Sequence, residues 1–304
     1  MSEYHYLRWD VFTDRPLAGN QLAVLLEAGG IEPGLMQRIA NEFALPETTF
    51  VLPPESADAD CRVRIFTPAR ELPMAGHPTI GTAFALAHSG RIAPGTRQAV
   101  FELGIGPMPV TLEWESDRLE NAWMSQPAPE FGARLDDLST IAAALGVRAE
   151  DIDATALPVQ VVSSGVPFLF VPLHSRAVVD SIELDRARLV EACGQLDSPE
   201  LPVYVFTLET GDDDATTYSR MFAPVFGIAE DPATGGASGP LAAYLARYCP
   251  TALKERETLL NLQGVRMNRP SSIHLSVSAD APPGSPVLVG GKAVLVGEGR
   301  LFFQ

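Results

Sequence analysis

The sequence predicts an α+β protein of two similar domains, each with short strands around one buried helix. The chain has 304 residues, more than one hydrophobic core usually organises. Its 25 glycines and 26 prolines fall between short apolar runs, which is typical of many strands joined by turns. Two helical segments, 79–88 and 237–249, carry almost no charge, and a helix that is apolar on all sides belongs inside a fold.

The first half begins with strands and one surface helix. Pro33–Phe43 places Met36, Ile39 and Ala40 on one face at helical spacing, and the alanine-rich helix Thr79–His88 follows later. Cys61–Thr67 alternates apolar and polar residues, as a half-buried strand does. The other predicted strands are Tyr6–Phe12, Gln21–Leu26, Glu47–Leu52 and a hairpin of Val100–Glu115 with Arg118–Gln126.

The second half repeats this mixture. Pro127–Arg134 is the predicted linker, so we expect domains at 1–126 and 127–291, with the C-terminal strand near 292–304 joining the first domain. The predicted helices are Leu135–Leu145, Leu184–Cys193 and Ala237–Cys249. The predicted strands are Val159–Ser164, Phe168–Pro172, Val203–Thr207, Ala215–Phe222, Ser271–Ser278, Pro286–Val289, Lys292–Glu298 and Leu301–Gln304.

The net charge of −16 limits the class of partner. A surface this negative repels phosphate backbones and anionic lipids, so we expect neither nucleic acid nor membrane as a partner. A small anionic organic substrate would need local positive potential, which backbone amides at helix N-termini can supply.

Cysteine content and the N-terminal sequence indicate a cytoplasmic protein. Cys61, Cys193 and Cys249 are too few and too scattered for a disulfide framework or a zinc cluster. The first ten residues lack the pattern of a signal peptide, and the longest apolar stretch, Val166–Leu173, is too short to span a bilayer. The acidic run 212–214 lacks the spacing of a calcium loop, so we predict a solvated turn and no metal site.

A short motif recurs in the two halves. Arg64-Ile65-Phe66-Thr67-Pro68 corresponds to Arg220-Met221-Phe222-Ala223-Pro224. Each motif is followed by an acid and a proline, and then by a glycine, Gly76 or Gly235, that opens the nearly uncharged helix. Two such units in the same order imply duplication of one domain.

The duplication predicts where a ligand would bind. If the halves face each other, two helix N-termini meet in the cleft between the domains, where unpaired N–H groups can bind a carboxylate or an enolate-like oxygen. Gly76 and Gly235 would let the backbone approach that ligand closely. The alternative is that these glycines merely permit tight turns before buried helices.

Several motifs together resemble one known family over nearly the whole chain. They are Asp10-Val11-Phe12-Thr13, Gly19-Asn20, Leu45-Pro46-Glu47-Thr48-Thr49-Phe50, Gly76-His77-Pro78-Thr79, Glu230-Asp231-Pro232-Ala233-Thr234-Gly235, Gln263-Gly264 and Arg269-Pro270-Ser271. On these residues the sequence is similar to the phenazine-biosynthesis PhzF-like isomerases, relatives of diaminopimelate epimerase in fold.

The resemblance implies a fold, a reaction and a set of residues. The fold is two similar domains, each a β-barrel-like sheet around a central helix, with the active site in the cleft. The catalytic residues fall on Glu47, as acid and base, and on His77 and Asp231. Family members isomerise a dihydro-hydroxyanthranilate by shifting a proton, with no metal or organic cofactor, and relatives suggest a homodimer.

One position departs from the family pattern. The family commonly has serine after the second loop glycine, whereas this chain has Gly236 there and Ser238 two positions later. The backbone N–H remains, so oxyanion binding can survive while a hydroxyl contact is lost or displaced. The predicted substrate-binding residues are Asn20, Gly76, Gly235, Gly236 and Ser238.

The chemistry fits these residue types. A carboxyl group in apolar surroundings can take a proton from carbon and return it, and Leu45, Pro46 and Phe50 surround Glu47 in sequence. His77, in a first helical turn, can donate a hydrogen bond as a neutral imidazole, and Asp231 can bind an amine or hydroxyl. The alternatives are a surface acid, a helix-capping histidine and a turn aspartate, respectively.

Other functions remain open from the sequence. A two-thiol racemase of the same fold would need a cysteine at each central helix N-terminus, where this chain has Gly76-His77 and Gly235-Gly236. A non-catalytic binder of small carboxylates would have no need for a titratable Glu47 in apolar surroundings. An isomerase or lyase acting on a small carboxylate outside phenazine synthesis would carry the same motifs.

Overall fold

The computed structural model describes residues 2–196, 198, 200–212, 214–250, 258–276 and 286–303. Contacts divide the chain into two compact units, which we call unit 1 (Met1–Ser125 with Val289–Gln304) and unit 2 (Gln126–Leu288). Each unit combines strands with helices, so the predicted α+β class is confirmed. Within these residues, no helix is both long and apolar enough to cross a membrane.

The elements are numbered in chain order over the described residues. The helices are α1 (Pro33–Phe43), α2 (Gly76–His88), α3 (Leu138–Leu145), α4 (Ala149–Asp153), α5 (Arg176–Ser181), α6 (Arg186–Gly194) and α7 (Gly235–Tyr248). The strands are β1 (Ser2–Val11), β2 (Asn20–Leu25), β3 (Glu47–Leu52), β4 (Cys61–Phe66), β5 (Glu71–Leu72), β6 (Gln98–Leu103), β7 (Gly106–Glu115), β8 (Arg118–Gln126), β9 (Glu130–Arg134), β10 (Gln160–Ser163), β11 (Pro167–Pro172), β12 (Val203–Thr207), β13 (Thr217–Ala223), β14 (Ile228–Asp231), β15 (Leu259–Gln263), β16 (Ser271–Ser276), β17 (Val287–Gly291) and β18 (Ala293–Phe303).

Strand pairing follows the same pattern in both units. In unit 1, β18–β1 and β1–β2 are antiparallel, β2–β3 parallel, β3–β4 antiparallel, β4–β6 parallel and β6–β7 antiparallel. Unit 2 has the same order of antiparallel and parallel pairs, in β9–β10, β10–β11, β11–β12, β12–β13, β13–β15 and β15–β16. The repeated sequence motif therefore belongs to a repeated sheet.

The two nearly uncharged helices, α2 and α7, are the central helices of their units. Every residue of α2 from Gly76 to Leu86 is buried, and α2 packs on β1, β2, β3 and β18. A Cβ on Gly81 would lie 2.5 Å from Leu22 Cδ2 and 2.7 Å from Val11 Cγ2, so this glycine lets the helix lie close to the sheet. In unit 2, α7 packs on β10, β11 and β16. The helices begin at the glycines that the repeat predicts.

Other helices pack around the sheets. The α1 helix buries Met36, Ile39 and Ala40 in a cluster with Leu25 and Phe50, and its predicted bounds are confirmed. In unit 2, α3, α5 and α6 contribute to one cluster with β11, β12 and β13. Burial of each large apolar side chain contributes about 1.5–3 kcal/mol, which holds these layers together.

The repeated arginines make the same contacts in both units. Arg64 donates from Nε and Nη2 to Glu71 at 2.7 and 2.6 Å, and its guanidinium lies 5.1 Å from the centre of the Phe66 ring. Arg220 donates in the same way to Glu230 at 2.9 and 2.8 Å. Its guanidinium lies 4.8 Å from the Phe222 ring centre. Glu71 and Glu230, the first acids after the two motifs, are therefore each paired with the arginine of their own motif.

The structure corrects three predicted segments. The predicted linker Pro127–Arg134 contains β9, which pairs with β10, and its mostly exposed side chains gave no burial pattern. The predicted strand Val100–Glu115 divides into β6 and β7 at a turn in which Gly106 has φ 112°. The two predicted terminal strands form one, β18. Residues 213, 277, 278 and 304 lie outside the described residues.

Candidate active site

Glu47 and His77 meet at the N-terminal end of α2. Glu47 is the first residue of β3, and side chains two apart on a strand share a face. Thr49 on that face accepts a hydrogen bond from Thr82 of α2 at 3.0 Å, so Glu47 also faces the helix. His77 is the second residue of α2, and its Nε2 lies 2.9 Å from Oε2 of Glu47.

The pair is shielded from water. The side chain of Glu47 is 14% exposed and that of His77 is 6% exposed, while Oε2 and Nε2 themselves have almost no accessible surface. The separation is an ion-pair distance, although the orientation of the two groups is not that of a hydrogen bond. The contact orients the carboxyl group of Glu47 and leaves Oε1 as its second oxygen.

Asn20 and Gly76 lie at the same end of unit 1. Asn20 begins β2 and is fully buried, and it shares a strand face with Leu22, whose side chain approaches Gly81 of α2. Leu22 is paired in parallel with Glu47, so β2 and β3 begin at the same end of the sheet. Gly76 opens α2 without a side-chain cap, and the first N–H groups of a helix have no partner within the helix.

Asp231 is held in a loop of unit 2. It ends β14, and its Oδ2 accepts a hydrogen bond from Oγ1 of Thr234 at 2.6 Å. The fully buried Gln263 donates from Nε2 to Asp231 O at 2.8 Å and to Thr234 Oγ1 at 2.9 Å. Its Oε1 accepts from the Thr234 N–H at 3.0 Å. One glutamine thus fixes both ends of the loop.

A buried network supports Gln263. The hydroxyl of Tyr204 contacts Gln263 Oε1 at 3.2 Å and Ser219 Oγ at 2.9 Å, and it accepts from Asn261 Nδ2 at 2.8 Å. Burial raises the pKa of Tyr204 to about 12, so this hydroxyl keeps its proton at neutral pH. Ser238 is also buried, and its Oγ donates to Thr234 O at 2.9 Å. In this structure the Ser238 hydroxyl therefore makes a hydrogen bond inside unit 2.

Gly235 and Gly236 open α7 without a side-chain cap. The N–H groups of Ala237 and Ser238 donate to Thr234 O. Neither Gly76, Gly235 nor Gly236 has a positive φ, so the backbone conformation at these positions does not itself require glycine. A Cβ on Gly236 would meet only Phe168 Cζ, at 4.0 Å, which leaves room for a serine side chain.

The structure also identifies residues that sequence reasoning missed. Gln126 is 1% exposed and donates from Nε2 to Gly235 O at 2.8 Å, yet nothing in the sequence distinguishes it from other strand-end residues. Gln263 belonged to a family motif, but its contacts could not be derived from that motif. The cysteines lie elsewhere: Cys61 begins β4, Cys193 lies in α6 and Cys249 follows the C-terminal end of α7.

Comparison with known proteins identifies the family. The model of the PhzC-PhzF family, described as phenazine biosynthesis-like protein, matches residues 9–299. The chain is 35% identical over 300 residues to trans-2,3-dihydro-3-hydroxyanthranilate isomerase from Pseudomonas aeruginosa, covering 98% of this chain and 99% of that relative.

Solved structures agree with this assignment. A phenazine biosynthesis protein of the PhzF family from Bacillus anthracis has a TM-score of 0.89 and 28% identity, with 100% of both chains covered. A probable proline racemase from Agrobacterium radiobacter has a TM-score of 0.66 at 14% identity, with 99% and 93% covered, which is a likeness of fold alone. The repeated sheet, the paired Glu47 and His77 and these matches lead to one conclusion: the chain belongs to the PhzC-PhzF family and is an isomerase of that family.

Proposed function

We propose that this isomerase moves a proton within a small carboxylate substrate without a cofactor, with Glu47 as general acid and base. The observation that carries the proposal is the 2.9 Å contact between Oε2 of Glu47 and Nε2 of His77 at the N-terminus of α2. The proposed chemistry is like that of trans-2,3-dihydro-3-hydroxyanthranilate isomerase, the relative named above.

The reaction is a balanced transfer of one proton. Ionised Glu47 takes a proton from a carbon of the substrate, and the electron pair of the broken C–H bond delocalises toward the carboxyl group of the substrate. The protonated Glu47 then returns the proton to a second carbon, which restores the ionised enzyme. Oε2 faces Nε2 of His77 at 2.9 Å, so Oε1 is the oxygen that carries the proton.

The first turn of α2 supports the intermediate. Its N–H groups and the positive end of the helix stabilise negative charge that develops on a substrate oxygen. Gly76 and His77 are both buried, so these interactions act with little competition from water. A neutral His77 donates a hydrogen bond while leaving Glu47 as the proton carrier.

The test is solvent deuterium exchange into a panel of cyclic and amino-acid-derived carboxylates, with dihydro-hydroxyanthranilate included. Glu47→Gln is expected to lower the exchange rate by about 10²–10⁴-fold because a glutamine cannot carry the proton. Glu42→Gln is the matched control, since it removes the same charge from an exposed position in α1. Exchange by Glu47→Gln at the wild-type rate contradicts the proposal.

The same panel separates the alternatives. Wild-type binding without any exchange would favour a non-catalytic carboxylate binder. Exchange into other carboxylates but not dihydro-hydroxyanthranilate would place the substrate outside phenazine synthesis. Gly236→Ser, for which the structure has room, tests whether the position that departs from the family sets this choice.

A further inference from the structure

Gln126 leaves one polar atom unpaired next to the first turn of α7. Its carboxamide is 1% exposed, and Nε2 donates to Gly235 O at 2.8 Å. Because that partner is a carbonyl, the amide nitrogen must face it, and Oε1 is fixed as the other end of the group. Within the part of the chain that the structure describes, Oε1 has no hydrogen-bond partner.

A buried acceptor that receives no hydrogen bond from the protein indicates a position for a donor from a ligand. Buried side-chain oxygens in folded proteins nearly always have a partner, since an unpaired one costs the whole of its lost hydration. A second buried hydroxyl, Ser164 Oγ, also has no partner among the described residues. Ser164 directly follows β10, and Phe168 Cζ of the neighbouring strand would lie 4.0 Å from a Cβ on Gly236.

The backbone beside Gln126 offers the opposite kind of group. The helix begins with two glycines and has no side-chain cap. The N–H groups of Ala237 and Ser238 are already bonded to Thr234 O, so those of Gly235 and Gly236 are the donors that remain for an anion. The N–H donors of Gly235 and Gly236 therefore lie close to the acceptor Oε1 of Gln126, since the other end of that carboxamide contacts Gly235 O.

We propose that Gln126 is a ligand-contacting residue that sets specificity at the N-terminus of α7. The Gly235 and Gly236 N–H groups bind a carboxylate, and Oε1 of Gln126 accepts a hydrogen bond from an amino or hydroxyl group close to that carboxylate. The ligand class is a small amino- or hydroxycarboxylate. That this ligand is also the substrate rests on the proposed function.

The experiment compares two stable probes by isothermal titration calorimetry. They are 3-hydroxyanthranilate and 3-hydroxybenzoate, which differ by one amino group next to the carboxylate. The wild type is expected to bind the amino compound about tenfold more tightly, a ratio typical of one hydrogen bond to a buried acceptor. In Gln126→Met, that ratio should fall to about one, while the Kd of 3-hydroxybenzoate changes less than about threefold.

Gln160→Met is the matched control. Gln160 is also a buried glutamine of unit 2, but its Oε1 accepts from Tyr248 at 2.7 Å and its Nε2 donates to Gly132 O at 2.9 Å. Tyr248 is the last residue of α7, so this glutamine lies at the other end of the helix. The control should lower the melting temperature and leave the probe ratio at the wild-type value.

Each result decides the proposal. A folded Gln126→Met protein that keeps the tenfold ratio overturns it, and so does a wild type that binds neither probe or binds both equally. If Gln126→Met does not fold, Gln126→Asn gives the same test, since its shorter side chain withdraws the acceptor by one methylene and the ratio should again fall toward one. Repeating the titrations in Glu47→Gln separates the role of Gln126 in binding from the role of Glu47 in proton transfer. The probe ratio should keep its wild-type value in this variant even if no proton transfer is ever detected.

Discussion

Arg220 donates two parallel hydrogen bonds from Nε and Nη2 to the carboxylate of Glu230, at 2.9 and 2.8 Å. Its Nη1 donates to Val179 O at 3.0 Å. The side chains are only 9% and 15% exposed. The matching pair in unit 1, Arg64 and Glu71, is 17% and 42% exposed. The two units therefore share one contact in two different environments.

This difference predicts unequal costs for the same substitution. Arg220→Lys should destabilise unit 2 by about 2–4 kcal/mol, because lysine cannot make the bidentate contact and leaves buried groups unpaired. Arg64→Lys should cost less than about 1 kcal/mol, since water replaces much of the lost contact. Urea unfolding followed by far-UV circular dichroism measures both. Equal shifts of the unfolding midpoint would show that burial does not control this contact.

His77 is expected to act on the rate of reaction rather than on substrate affinity. His77→Phe removes the Nε2 that lies 2.9 Å from Glu47, so kcat should fall by about 10²-fold while KM changes less than about threefold. His88→Phe is the control, because His88 is the last residue of α2 and packs edge-on against Trp9. Steady-state kinetics on whichever carboxylate shows exchange gives both constants. A kcat unchanged in His77→Phe would remove His77 from the mechanism.

Gly81 should not tolerate a methyl group. Gly81→Ala places a Cβ 2.5 Å from Leu22 Cδ2, and such overpacking costs about 1–3 kcal/mol despite the higher helix propensity of alanine. Gly34→Ala, in the exposed first turn of α1, meets no atom within 4 Å and should be neutral or slightly stabilising. The three tryptophans lie in unit 1, so fluorescence-detected melting reports on both variants. A Gly81→Ala protein as stable as wild type would mean that the sheet moves to make room.

The cysteine thiols should resist alkylation in the folded protein. Burial raises the pKa of Cys61 to about 12 and that of Cys193 to about 11, and it also raises the pKa of Cys249. The reactive thiolate forms only as the pH rises through the pKa, so at pH 8 Cys61 and Cys193 stay protonated. Iodoacetamide labelling read by mass spectrometry should modify Cys249 first, because it alone of the three is partly exposed. In urea, all three should react at comparable rates.

Much of the fold could be predicted because the signals were local. The helical spacing of α1 predicts both of its ends, and the near absence of charge in α2 and α7 predicts their burial. The β9 strand could not be predicted in this way because its side chains are mostly exposed and its conformation depends on pairing with β10. The β15 strand gives no apolar alternation for a different reason, since two of the three residues on its buried face, Asn261 and Gln263, are polar.

The candidate site also contains residues that local sequence signals indicate and residues that they do not. Glu47 and His77 lie next to helix and strand ends that the sequence indicates, and a known motif drew attention to them. The hydrogen bonds of Gln126 and Gln263 join residues 109 and 29 positions apart, so no local pattern could reveal them. Glutamine also carries no charge or periodicity that would distinguish a contact residue from a surface residue.

The β18 strand has a consequence for synthesis of the protein. It pairs with β1 from Ser2 to Val11, although roughly 160 residues of unit 2 lie between unit 1's two segments. At about 5–20 residues per second, a ribosome needs on the order of ten seconds or more to make that stretch, and β1 keeps one edge unpaired throughout. Unit 2 is contiguous and can fold as soon as it is made, so unit 1, whose first segment precedes unit 2 in the chain, is the unit that completes its fold last.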